Sequence, residues 1–194
     1  MQRKALDRLV SLIGFSLAAI LIVAGGLLTW AHNFVAHEVK TQLSQQQIFF
    51  PPKGSPAIAA PEFSAMKQYA GQQLTTGAQA EVYADHFIAN HLKVIGGGKT
   101  YAQLSTQAQA DPTNTKLAAT VEAMFKGQTL RGLLLNAYAF GTTATIAGIA
   151  AIVAFVGAAI MLILAGLGLL HARRSPASET VFAQPRELVP TASV

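Results

Sequence analysis

Two stretches without Asp, Glu, Lys, Arg or His limit what this chain can fold into. Residues 9–30 form the first, 22 residues long, and residues 132–170 the second, 39 residues long. As an α-helix rising 1.5 Å per residue, the first reaches ~33 Å, enough for a hydrocarbon core of about 30 Å. The second reaches ~58 Å, nearly twice that core. Charged residues make up 12% of the chain and apolar residues 52%, against roughly a quarter charged in soluble domains. Lipid is therefore the expected solvent for part of the polypeptide. The first stretch is longer than the ~7–15 apolar residues of a signal peptide, so a retained anchor is expected.

The excess length of the second stretch has to be buried outside the membrane. Residues 145–170 are expected to cross it, and "RGLLLNAYAFGTTA" to continue beyond it. Asn136, Tyr138, Thr142 and Thr143 suit a watery or interfacial depth better than the acyl centre. Arg3, Lys4 and Arg8 precede the first span, and Arg173 and Arg174 follow the second. Basic flanks favour the cytoplasmic side, so both termini are expected there. The expected organisation is all-α: a cytoplasmic N-terminus (1–8), a first span (9–30), an extracytoplasmic helical domain (31–144), a second span (145–170) and a disordered cytoplasmic tail (171–194). Small residues recur at helical spacing, Gly14 and Ala18 in one span and Ala150, Ala154 and Ala158 in the other. Such rows allow close backbone approach and suit a helix-packing seam in lipid.

Within the external segment, Phe34, Val35, Val39 and Leu43 extend the first helix with one apolar side. Residues 48–61 hold four prolines and predict an extended connector. Thr76 with Gln79, and Thr100 with Gln103, have capping-box spacing and predict two helix starts. The glycines at 96–98 predict a stop between those helices. Asp111-Pro112 predicts a third start, and Gly127 a break before the long terminal helix.

The closest approach to a site is "AQAEVYADHFIANHLKVIGGGKTYAQL", with Glu81, Asp85, His86 and His91 in one helix. His86 and His91 are five apart, ~140° around an α-helix, and miss the H-x-x-x-H spacing of a single-helix zinc site. "GGGKT" lacks the upstream glycine of a phosphate loop, since Lys93 stands there, and follows a helix rather than a strand. His32 and His37 are also five apart and read as structural or solvated. No G-x-S-x-G setting occurs. The chain has no cysteine, which excludes thiolate zinc sites and Cys nucleophiles. Eight of the 14 Lys and Arg are spread through residues 31–140 beside six acids, with no basic run or aromatic interleaving suited to nucleic acid. No catalytic residue, metal or cofactor is expected.

The segments "AQAEVYADHFI", "GGKTYAQL", "DPTN" and "LRGLLLNAYAFG" resemble those of a family of small uncharacterised actinobacterial two-span membrane proteins. The similarity covers roughly residues 9–170 and is strongest over 78–104. It implies a cell-envelope location and no particular activity. Some members carry a ring-opening dioxygenase label, which this sequence does not match: it lacks an iron-ligand set of two histidines and a carboxylate.

The expected function is non-catalytic. It is that of a structural or accessory subunit whose spans and external helices dock onto an envelope complex or onto copies of the same chain, in contact with the bilayer. The alternative is a binding or sensing module for a lipid, small molecule or cell-wall component. Tyr83, Asp85, His86 and His91, with Tyr69, Tyr101 and Tyr138, would then supply polar contacts in an apolar cleft.

Overall fold

The computed structural model describes residues 3–174, which are helical almost throughout; no strand occurs among the described residues. Helix α1 is Arg3–Gln45. Two 3-10 segments, Pro56–Ile58 and Pro61–Tyr69, follow. Next come α2 (Gly77–Val82), a π-helical segment (Tyr83–Ile88), α3 (Ala89–Ile95), α4 (Tyr101–Ala110) and α5 (Thr115–Arg174). The chain divides into two compact units. Among the described residues, one holds those up to Leu28 and those from Ile149 to Arg174; the other is Thr29–Gly148. Both α1 and α5 contain an apolar window long enough to cross a membrane. The expected disordered tail lies outside the described residues from 175 onward, and residues 171–174 continue α5.

The first unit packs small residues inward and large ones outward. Ser11, Ala18, Ala151, Ala158, Ala165 and Ala172 are buried, whereas Ile13, Ile20, Ile152, Val153 and Ile163 are exposed. A methyl group built on Gly14 would lie 3.0 Å from Ala165 Cβ; one on Gly25 would lie 2.9 Å from the Phe155 ring; one on Gly168 would lie 2.6 Å from Ser11 Oγ. Rising numbers on α1 meet falling numbers on α5, so the two lengths run antiparallel. Ser11, Ala18 and Gly25 are seven apart, as are Ala151, Ala158, Ala165 and Ala172, the spacing that keeps one seam facing a partner helix. Ala154 and Ala158 are buried, while Ala150 is only partly so. The buried row passes through Ala151, because a period of seven follows the seam and a ladder of fours drifts off it.

In the Thr29–Gly148 unit the core gathers Leu43, Phe50, Ile58, Met66, Leu74, Ala80, Ala84 and Leu134. The proline-rich stretch is not the continuous extended connector expected of it. Pro56 and Pro61 each open a 3-10 segment, because a first helical position has no amide bond for proline to lose. Residues 48–50 pair with 72–74 through Phe50 N–H to Gln72 O (2.9 Å) and Leu74 N–H to Ile48 O (2.8 Å), and Ser55 and Ala60 are extended just ahead of the two 3-10 segments. A smaller cluster of Leu92, Leu104 and Met124 joins α3, α4 and α5.

Both capping boxes form. Gln79 N–H donates to Thr76 Oγ1 (3.2 Å) and Thr76 N–H to Gln79 Oε1 (3.1 Å); Thr100 and Gln103 repeat the pattern. The third start lies elsewhere than expected. Asn114 Oδ1 accepts from Leu117 N–H (3.0 Å) and α5 begins at Thr115. Asp111 instead accepts from Thr113 Oγ1 and Asn114 Nδ2, which leaves Pro112 in a turn. Gly127 does not break α5, which runs unbroken from Thr115 to Arg174. Its missing side chain admits Leu92, whose Cδ2 would lie 2.4 Å from a Cβ at 127.

Candidate functional site

Tyr83, Asp85 and His86 fall in the π segment, and His91 in α3 just beyond. A π turn closes on i→i+5 bonds and is found mostly as a short insertion, frequently at functional sites. Here Ala89 N–H reaches back to Ala84 O. The widened turn changes which residues share a side. His86 Nδ1 lies 3.2 Å from the carbonyl of Glu62, and the His91 ring is 6.1 Å from that of Phe63. The two histidines thus face the same 3-10 segment, contrary to the divergence expected of an ideal α-helix.

Facing one segment does not make them a ligand pair. A carbonyl only accepts, so Nδ1 carries the proton in His86 and equally in His91, where it lies 2.7 Å from Phe87 O. The His91 ring also packs on Phe87 at 4.3 Å between centroids. Asp85 Oδ1 is held 2.6 Å from Arg131 Nη2 across 46 residues of sequence, with both side chains partly exposed. Tyr83 stands edge-on to Phe50 (5.4 Å, 89°) and 4.8 Å from Phe87. Burial raises its phenol above the usual 10.0, because the charged form is the one desolvation disfavours. Among the described residues no group of three His, Cys, Asp or Glu side chains could hold a metal. A cavity of about 600 Å³ beside Phe63 is lined by His91 but by none of Tyr83, Asp85 or His86. "GGGKT" is a turn: Gly97 and Gly98 have φ of 58° and 79°, and Lys99 Nζ donates to Gln107 Oε1 (3.0 Å).

Two other cavities of the Thr29–Gly148 unit were not anticipated. The first is an apolar groove of about 470 Å³ between α1 and α5, with Phe34, Val39, Leu130, Leu133, Leu134 and Phe140 in its walls. Leu133 is 61% and Phe140 60% exposed, although apolar side chains of this size and number are ordinarily covered. Its signal was present as the row 130, 133, 134, 137, 140, an i, i+3, i+4 stripe. The uniform apolarity of residues 132–170 hid it. Glu38, Gln42 and Gln46 supply the polar positions of the groove. The second cavity, about 320 Å³, is lined by His32, Lys40, Tyr138 and Thr142 among smaller residues. His32 Nδ1 donates to Ala144 O at 2.7 Å, and Gly148 leaves room for the ring, since a Cβ there would lie 2.9 Å from Nδ1.

The fold and these surfaces define an all-helical protein with two helices fit to span a membrane. Comparison of the chain with models of known protein families, with characterised proteins and with solved structures finds no match.

Proposed function

We propose that this chain is a non-catalytic integral membrane protein that crosses the bilayer twice and docks through its extracytoplasmic unit onto an apolar partner surface. The partner is another membrane protein of the envelope or a second copy of the chain. The apolar groove carries the reading: Phe34, Leu130, Leu133 and Phe140 line it and stay exposed, and such a surface needs a cover. The outward apolar faces of the first unit favour lipid as its solvent, and basic flanks favour cytoplasmic termini. Asp85 and His86 contact distant parts of the same chain and His91 bonds the carbonyl of Phe87 one turn back, which fits a supporting role better than a reactive one. The resemblance to two-span actinobacterial proteins supports a cell membrane as the location.

Gentle detergent extraction from native membranes tests this, with the wild type beside Leu133→Glu. A co-purifying partner or a dimer is expected, lost in the variant; a lone wild-type monomer would count against docking. Topology is tested separately. The chain has no cysteine, so one introduced at Ser105 or Asn114 reports alone. Labelling of intact cells by an impermeant thiol reagent is expected at both positions.

The groove also favours a second reading. Its volume of about 470 Å³ lies within the roughly 300–1,000 Å³ of small-molecule sites, so an apolar ligand is the alternative occupant. Mass spectrometry of the purified protein would show a retained apolar compound that Leu133→Glu releases.

A further inference from the structure

The second cavity differs in chemistry from the groove. It exists because the chain entering α2 lies so close to α5 that nothing larger than glycine fits. A Cβ on Gly77 would lie 3.0 Å from Ala137 O and 3.1 Å from Tyr138 Cα, and one on Gly141 would lie 3.2 Å from Gly77 Cα. Around that contact the walls are largely small, leaving about 320 Å³.

The polar groups facing this space form an unbalanced set. Lys40 lines it and makes no ion pair among the described residues. Tyr138 is half-buried and Thr142 exposed, and both bring hydroxyls. No carboxylate lines the cavity; Glu38, two residues before Lys40, lines the apolar groove instead. His32 has committed its Nδ1 proton to Ala144 O, so it can meet a ligand only through Nε2, which accepts in that tautomer. Of the five hydroxyl residues in the lining, Thr75 and Thr145 donate to Gln79 and Gly141, and Thr76 caps α2. A cation without an ion pair among the described residues, the hydroxyls of Tyr138 and Thr142 and an imidazole acceptor suit an anion that also carries a hydroxyl. Phosphate esters have that chemistry, and a lysine is an effective point-charge partner for them.

Position narrows the source. His32 comes two residues after the end of the first expected span, and Thr145, also in the lining, opens the second. The proposed spans put the cavity at the depth of the outer headgroups.

We propose that this cavity binds the phosphate of an anionic lipid headgroup, with Lys40 neutralising the charge and Tyr138 and Thr142 donating to its oxygens. A hydroxylated headgroup such as phosphoglycerol would also satisfy His32. The lipid source rests on the membrane reading above; the phosphate chemistry does not.

The test uses the full chain in detergent and native mass spectrometry with phosphatidylglycerol or phosphatidylcholine. Selective retention of phosphatidylglycerol is expected. Lys40→Gln should reduce it roughly fivefold, the worth of one lysine beside an anionic lipid. Lys67→Gln, at an exposed lysine outside the cavity, should leave it unchanged. Tyr138→Phe keeps the ring and removes one donor, and a further loss of several-fold is expected. A parallel arm titrates inorganic phosphate calorimetrically without lipid. Saturable phosphate binding sensitive to Lys40→Gln, with no lipid preference, would keep the anion site and overturn its lipid source. Equal retention of both lipids with no phosphate binding, or equal behaviour of the two lysine variants, would overturn the proposal. Cysteine labelling reports on the membrane topology independently.

Discussion

Gly127 and Gly132 lie on the same uninterrupted helix, five residues apart, and their replacement by alanine should act in opposite directions. Alanine is better than glycine inside a helix by about 0.8–1.0 kcal/mol. At Gly132 nothing lies within 4 Å of the added methyl, so Gly132→Ala should stabilise by roughly that amount. At Gly127 the methyl would lie 2.4, 3.2 and 3.4 Å from Leu92 Cδ2, Cγ and Cδ1. Leu92 is itself 4% exposed and its neighbours Leu104 and Met124 are buried, which leaves the leucine little space to turn into. Overpacking of this kind costs about 1–3 kcal/mol, so Gly127→Ala should destabilise by about 0–2 kcal/mol after the helical gain. The two variants should therefore differ by roughly 1–3 kcal/mol, the overpacking cost alone, since the helical gain is common to both. Amide hydrogen exchange of the full chain in detergent reads this locally, at about tenfold in protection per 1.4 kcal/mol. Protection over residues 88–108 should fall in Gly127→Ala, and protection in α5 should rise around 132 in Gly132→Ala. Adding Leu92→Ala to Gly127→Ala should cost less than the sum of the single changes. Equal stabilisation by both alanines would refute the packing account of Gly127.

Three further outcomes follow from the Thr29–Gly148 unit. Phe50→Ala removes an aromatic side chain 2% exposed at the centre of the core and should cost about 3–5 kcal/mol in denaturant unfolding; a loss under about 1 kcal/mol would mean the core lies elsewhere. The Asp85–Arg131 pair is partly exposed, so a double-mutant cycle of Asp85→Asn and Arg131→Met should return a coupling of about 0.2–1 kcal/mol that weakens in high salt. Burial raises the Tyr83 phenol above 10.0. Its contribution is fully present below pH 10 and is lost as pH rises through the raised value, because the unfolded chain gives up its proton first. Tyr83→Phe should flatten the alkaline fall in stability; an unchanged fall would assign it to other groups.

Local signals without a rival beside them survive into the structure; those with a nearby competitor or a distant neighbour do not. The two capping boxes are complete within four residues, so nothing elsewhere competes with them. Asp111 and Asn114 are both good cap residues, and sequence offers no means of choosing; the choice went to the one whose oxygen reaches a helical amide. A glycine that ends a helix and a glycine that admits a neighbour look alike until the neighbour is placed, as with Gly127 and Leu92. The same holds for Asp85, whose partner is 46 residues away. His86 and His91 misled for a different reason. Their divergence was worked out for a regular α-helix, and the π segment altered the turn between them.

The alanine seam is the most instructive case, because its period was in the sequence throughout. Ala144, Ala151, Ala158, Ala165 and Ala172 are all buried and recur every seventh residue. A four-residue ladder through Ala150, Ala154 and Ala158 matches the same letters over a shorter window. In a stretch so rich in alanine and glycine, short windows satisfy several periods at once. A period of four exceeds the 3.6 residues of a helical turn and wanders across the helix surface, whereas seven residues return close to the same side. Length of agreement, not strength of any one match, therefore separates the two. Ser11, Ala18 and Gly25 on α1 keep the same interval, so two independent rows select seven over four. A bulky substitution at Ala158 or Ala165 should accordingly disturb helix pairing more than the same change at Ala150. SDS-resistance of the helix pair in detergent would expose the opposite order.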